Sequence, residues 1–320
     1  MNLLITGGCG YVGTALTQTL LQDGHKICVI DTQWFGNYLA KNDNLKIIKD
    51  DIRNIEKIDL PKLDSVIHLA NIANDPAVDL NPSLSWEVNV LATKQLIDKA
   101  IDLGAKQFIY ASSGSVYGVK DELNVTEDLT TKPISIYNKT KIIAEKVLMS
   151  YANKINVHNI RPATVCGVSP RMRFDVSVNM LTIQALKNKL ITVNGGSQTR
   201  PNIHIRDMIS VYRHFLLNSN LPSGPYNAGF QNVSILDLAK MISEVIPSDI
   251  TVSDSNDPRS YRQNSDKLLG TNFKPQYSIQ DAIIEIKKLF SEGNLTDKDE
   301  FHTVKWMKKI DLDEIYKKNQ

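Results

Sequence analysis

Thr6-Gly7-Gly8-Cys9-Gly10-Tyr11-Val12-Gly13 lies between a short apolar run, Leu3 to Ile5, and a stretch of helical period, Tyr11 to Gln22. A glycine-rich match is weak alone and informative at a strand-to-helix junction. Gly7 and Gly10 permit a tight turn and let backbone N–H groups approach a phosphate, and Gly13 lets the helix pack close to the strand. Tyr11 and Val12 open the helix at that cradle.

Outward from this stretch, continuous apolar runs of strand length recur at Lys26–Ile30, Leu45–Ile48, Ser65–Ala70, Gln107–Ala111 and Val157–Ile160. Continuous rather than alternating runs are the mark of strands buried on both faces. Stretches of helical period at Tyr11–Gln22, Ser83–Leu103 and Ile136–Tyr151 separate some of them. The expected fold is α/β, a Rossmann-type doubly wound parallel sheet with a smaller C-terminal substrate-binding lobe. Residues 1–168 form the dinucleotide-binding domain, with segments near 202–232 returning to it; 169–201 and 233–290 form the second lobe; 291–320 read as a charge-rich helical tail. Pro170, Gly195-Gly196, Pro201, Pro222 and Pro225 cut the second half into short elements, and Ser234 with Asp237 three residues on predicts a capped helix over Ser234–Ile246.

The second strand ends at Asp31, 18 residues beyond Gly13. A carboxylate there accepts hydrogen bonds from the adenosine ribose hydroxyls and repels a 2′-phosphate, so NAD is expected rather than NADP. Asp51-Ile52 follow another strand and either cover the adenine or form an ordinary turn.

Tyr137 and Lys141 stand four apart on a predicted helix and project from one face. An ammonium and a positively charged nicotinamide both favour the phenolate of a tyrosine, which otherwise titrates near ~10. Ala111-Ser112-Ser113-Gly114-Ser115-Val116-Tyr117-Gly118 places hydroxyls at the carboxyl edge of the sheet, where open α/β folds bind ligands. Ser113 is expected to share the substrate oxygen's hydrogen bond.

Composition sets the outer bounds. With 37 Lys+Arg against 35 Asp+Glu, the charge of +2 calls for neither nucleic acid nor an anionic membrane as partner. Cys9, Cys28 and Cys166 lack disulfide or metal spacing, and the histidines show no ligand pattern, so no metal is expected. No basic leader precedes Gly7 and no run reaches the ~18 apolar residues of a membrane span, so a cytoplasmic chain is expected.

Together, Thr6–Gly13, Asp31, Asp51-Ile52-Arg53, His68-Leu69-Ala70-Asn71, Ser112–Gly118 and Tyr137-x-x-x-Lys141 resemble the extended short-chain dehydrogenases/reductases, more narrowly the nucleotide-sugar epimerase/dehydratase group. The resemblance runs from residue 1 to about 290. It implies Tyr137 as acid/base, Lys141 on the nicotinamide ribose, and Ser113 on the sugar hydroxyl. Leu69, Ala70, Asn71 and Asn89 would bind the cofactor, Asn89 from the helix position that supports the site, and Arg161-Pro162-Ala163 pass beside the nicotinamide. On the substrate side it implies Ser113, Thr164, Asn179, Arg200 and Arg259, with Arg262 as a further phosphate ligand. Thr164 stands where asparagine is common and Cys166 where tyrosine is usual. Related dehydratases carry Asp-Glu at the positions of Gly114 and Ser115, and decarboxylases a glutamate there. The reading is therefore an epimerase of a nucleotide-diphosphate sugar acting at C4, with 4-keto-sugar reduction and a non-catalytic scaffold as alternatives. Apolar residues of the helices near 84–103 and 136–151 either pair two subunits into a homodimer or are used within one chain.

Overall fold

The structure, a computed structural model, describes residues 1–254 and 260–310. The first half alternates strands and helices: β1 (Asn2–Thr6), α1 (Tyr11–Gln22), β2 (Lys26–Asp31), β3 (Leu45–Lys49), β4 (Ser65–His68), α2 (Asp75–Val78), α3 (Pro82–Trp86), α4 (Ala92–Asp102), β5 (Gln107–Ala111), α5 (Ile136–Met149) and β6 (Asn156–Pro162). β7 (Thr164–Cys166), α6 (Ser177–Asn188), β8 (Leu190–Asn194), β9 (Thr199–His204), α7 (Ile205–Leu217), β10 (Gly224–Ala228), β11 (Gln231–Ser234), α8 (Ile235–Val245), β12 (Asp249–Ser253), α9 (Asp266–Leu269), α10 (Ile279–Ser291) and α11 (Thr303–Met307) follow.

Seven strands form one parallel sheet in the order β10-β6-β5-β4-β1-β2-β3. Alternating side chains of β1 divide between its faces: Leu3 and Ile5 pack with Leu16, Leu20 and Phe215 of α1 and α7, and Leu4 with Leu96 and Leu148 of α4 and α5. Each such fully buried side chain stabilises the fold by ~1.5–3 kcal/mol. A separate apolar core joins α6, α8 and α10 to β8, around Leu181, Ile191, Val193, Leu238 and Ile283. This is the doubly wound sheet and the smaller lobe that the sequence implies.

Three local readings change. Pro201 and Pro225 do not break the chain: Pro201 lies in β9, paired with Asn232, and Pro225 in β10, an edge strand, where the missing N–H of proline is tolerated. The single helix expected over Ser83–Leu103 is α3 and α4 joined by a π-helical turn, Glu87–Leu91. The tail is no continuous helix over its described part: a 3-10 turn (Asp299–Phe301) leads into the five-residue α11. The cap at Ser234 is as expected, its hydroxyl accepting from the Asp237 N–H at 3.1 Å.

Most of the apolar stripe expected to pair subunits is spent inside the chain. Val88, Ala92, Leu96, Ala100, Ile142 and Leu148 are buried, whereas Trp86, Leu91 and Ile143 remain exposed. Among the described residues no helix is long and apolar enough to cross a membrane.

Candidate active site

A cavity of about 600 Å³ runs along the carboxyl ends of β1, β2, β4 and β5, from Asp31 and Ile52 to Ser113 and Tyr137. Its floor is the turn between β1 and α1. Gly7 has φ of +72°, and a Cβ there would sit 2.6 Å from the Ala70 nitrogen; one on Gly13 would sit 2.1 Å from the Gly7 carbonyl oxygen. Both glycines are thus required by backbone packing. Gly10 differs, since a Cβ there would meet only the Gly7 oxygen at 3.2 Å. The N-terminus of α1, capped by no side chain, opens here, with Gly10, Tyr11, Val12 and Gly13 lining the cavity. The backbone N–H groups and dipole of such a helix end suit an anion.

Asp31 accepts from the Cys9 N–H at 2.9 Å and the Gln33 N–H at 2.7 Å, which fix its carboxylate at the cavity edge. Burial raises its pKa, and the two backbone donors oppose the rise. Asp51 and Ile52 also line the cavity, but the Asp51 carboxylate caps the following turn through the Arg53 N–H and pairs with the Arg53 guanidinium at 3.0 Å. Leu69, Ala70 and Asn71 continue the wall beyond β4. That strand is shorter than expected because the chain leaves the sheet at Leu69 to form it. His68 is a core residue, bridging Thr6 and Thr93 at 2.6 and 2.8 Å, with burial lowering its pKa to about 3.

The chemical end holds Ser113, Tyr137, Pro162 and Thr164. Ser135 caps α5 by accepting from the Asn138 N–H at 3.1 Å, which sets Tyr137 in the first turn. The Ser113 hydroxyl lies 2.7 Å from that of Ser115, which donates to Asn138 Oδ1 at 2.6 Å. Burial pushes the Tyr137 phenol up to about 12, opposed by hydrogen bonding to Ser113 and by the charge of Arg173. Lys141 stands behind it, its Nζ 5.7 Å from the Tyr137 ring centre and donating to the Ala111 carbonyl at 2.6 Å. Burial lowers the ammonium to about 7, opposed by Glu145 one turn on. Glu145 is held by Arg161 through bonds of 2.9 and 2.7 Å and by the Ser112 hydroxyl.

Three expected ligands do not line the cavity: Lys141, whose ammonium donates to the Ala111 carbonyl, Asn89 and Asn179. Asn89, on the π turn, is fully buried; its amide clamps the backbone of Ile72 at 2.8 and 3.2 Å and donates to Thr140 at 3.1 Å, so it positions the wall instead of touching a ligand. The Asn179 amide is likewise consumed, bonding Gly167 N, the Tyr11 hydroxyl and the Arg173 carbonyl at 2.9, 3.1 and 2.9 Å. Arg200 lines the cavity, Arg262 is exposed away from it, and Arg259 lies outside the described residues.

The sequence reading missed the opposite wall. Arg171, Arg173 and Asp175 line it, Arg173 pairing with Asp175 at 2.7 Å. Thr303, Val304 and Met307 of α11 complete it. The Trp306 indole N–H donates to the Trp34 carbonyl at 2.5 Å, and Tyr38 donates to Glu300 at 3.1 Å, which anchor the tail to the loop after β2. Arg-x-Arg-x-Asp was the available signal, but nothing local links it to Glu300, 129 positions after Arg171.

The profile of the NAD dependent epimerase/dehydratase family matches residues 3–229. The chain belongs to this family. NAD is the family's cofactor, and the uncapped helix end, the open face of Gly10 and Asp31 at the cavity edge fit a dinucleotide. Among curated family members, UDP-glucuronic acid decarboxylase 1 of Danio rerio is 30% identical over 77% of this chain, which spans 61% of that protein's length. UDP-glucose 4-epimerase of Lactobacillus helveticus is 26% identical over 89% of this chain and 95% of its own. Among solved structures, UDP-glucuronic acid 4-epimerase from Bacillus cereus, in complex with UDP-glucuronic acid and NAD, covers 90% of this chain and 100% of its own with a TM-score of 0.77 and 27% identity. A dTDP-glucose 4,6-dehydratase from Streptomyces venezuelae shares the fold at a TM-score of 0.79 and 20% identity, covering 91% of this chain and 97% of its own. Epimerases, decarboxylases and dehydratases thus all stand among its relatives.

Proposed function

We propose that the chain is an NAD-dependent epimerase of a nucleotide-diphosphate sugar, acting at C4. The observation that carries this reading is that the two positions after Ser113, Gly114 and Ser115, hold no carboxylate. A Cβ on Gly114 would sit 3.1 Å from Gln263 Nε2 and 3.2 Å from the Pro162 carbonyl oxygen, so no acidic side chain fits there without repacking. Ser115 carries a hydroxyl already bonded to Ser113 and Asn138. Loss of water from adjacent carbons needs a separate acid and base, and these positions supply neither.

When bound, NAD supplies a hydride acceptor that can give the hydride back, and its positive nicotinamide favours the phenolate of Tyr137. The chain's own residues then handle the proton. Ser113 orients the sugar hydroxyl, Tyr137 Oη takes its proton and later returns it, and Lys141 supports the phenolate from behind. Asp31, Asp51, Ile52, Leu69, Ala70, Asn71 and Pro162 hold the cofactor, while Thr164 and Arg200 face the nucleotide sugar; an arginine suits bidentate phosphate binding. Exposed Trp86, Leu91 and Ile143 support pairing of two copies through α3, α5 and the turn between α3 and α4.

The test is a panel of nucleotide sugars followed by NMR, with and without added NADH. A new sugar signal without added reductant, lost about 10²–10⁴-fold in a folded Tyr137→Phe variant, is the expected result. Product formed only with NADH, mole for mole, would make the chain a keto-sugar reductase instead.

A further inference from the structure

Arg171 is only 3% exposed and lines the cavity, yet among the described residues its Nε has no hydrogen-bond partner. Its other recorded polar contact is weak, an Nη2 donation to the Glu300 carbonyl at 3.4 Å. The nearby carboxylates are already engaged: Asp175 by Arg173, and Asp31 by two backbone N–H groups. The guanidinium stacks instead on Phe35, its central carbon 4.3 Å from the ring centre. A buried cation with so little compensation is costly unless an anion joins it. Phe35 belongs to the loop after β2, so Arg171 stands at the adenosine end of the cavity, away from Tyr137. There the uncapped N-terminus of α1 faces the same space with a run of backbone N–H groups.

We infer that Arg171 is a ligand for the diphosphate of NAD, reaching from the second lobe to grip the anion that the helix end holds from the other side. The tail meets it through the Glu300 carbonyl, and Thr303 and Met307 line the same cavity. The inference rests on the family's cofactor and is independent of which reaction follows. The same chemistry would serve the diphosphate of the nucleotide sugar, so the experiment separates the two sources.

Full-length protein stripped of nucleotide is titrated with NAD, ADP, adenosine and UDP by calorimetry, as wild type and as Arg171→Met and Arg171→Lys, with circular dichroism confirming the fold. The expected result for Arg171→Met is a 10- to 100-fold weaker affinity for NAD and ADP, little change for adenosine and UDP, and partial recovery in Arg171→Lys. Unchanged NAD affinity would overturn the assignment. So would an equal loss for adenosine, which would make Arg171 a wall of the base pocket, or a loss confined to UDP, which would move it to the substrate. If Arg171→Met does not fold, Arg171→Lys decides: affinity for NAD and ADP must fall at least threefold with adenosine unaffected.

Discussion

The two walls of the cavity are built in different ways. The turn after β1 is shaped by main chain pressed on main chain, with Gly7 against Ala70 and Gly13 against Gly7, inside a sheet whose strands are each a few residues long. The facing wall is shaped by side chains brought from far along the chain: Arg171 with Glu300, Tyr38 with Glu300, Trp34 with Trp306. The first leaves no room for a side chain at Gly7 or Gly13. The second depends on contacts between residues more than a hundred positions apart.

Substituting the glycines breaks this comparison most sharply. Gly13→Ala should cost ~2–4 kcal/mol in chemical denaturation, because the clash is with backbone on both sides. Gly10→Ala should leave the denaturation midpoint nearly unchanged while weakening NAD binding, since its Cβ faces the cavity. Equal stability losses at the two positions would mean that the turn is not divided into a packing half and a ligand half.

On the facing wall, Asp175→Asn removes the carboxylate that pairs with Arg173 and leaves a guanidinium under-compensated. A loss of ~2–3 kcal/mol is expected in the same assay. Because Arg173 also opposes the rise of the Tyr137 pKa, the alkaline limb of turnover should shift as well. A variant as stable as wild type would show the pair to be solvated and the wall looser than described.

Behind both walls, Lys141 is held at about 7 against an ordinary 10.5, mainly by burial. Between those values the unfolded chain binds a proton that the folded chain lacks, so this group's contribution to stability rises with pH across that window. Below about 7 the penalty is present in full. Lys141→Met should therefore be more stable than wild type at pH 7, by ~1–2 kcal/mol, with an advantage that shrinks toward pH 10, while turnover is lost. A variant less stable at pH 7 would show that the bond to Ala111 outweighs the cost of the buried charge.

The smallest effect is expected at the tail. Trp306→Phe deletes one hydrogen bond to the Trp34 carbonyl and should cost ~1 kcal/mol. A few-fold weaker hold on NAD would accompany it if α11 mounts Arg171, and an unchanged affinity would confine the tail to a structural role.

The division between the walls also explains what could be read in the sequence. The strands, the glycine turn, Asp31 and the Tyr137–Lys141 pair are local patterns, with spacing set by strand length and helical period; the turn, Asp31 and Tyr137 line one cavity, and Lys141 stands behind it. β10 escaped because Gly224 and Pro225 argue against a strand by propensity, and only its place at the sheet edge overrides that. Asn89 and Asn179 were read as ligands because position along the chain does not tell whether an amide faces a ligand or the backbone beside it. Arg171 and the tail carry no periodicity and meet only through the fold.

The measurement that bears most directly on the account is transfer of label. A nucleotide sugar deuterated at the carbon to be oxidised is incubated with the purified protein, its NAD in place and no NADH added. Deuterium retained at that carbon of the inverted sugar, with none released to water, is the predicted result. Loss of the label to solvent, or no inversion until NADH is added, would contradict it.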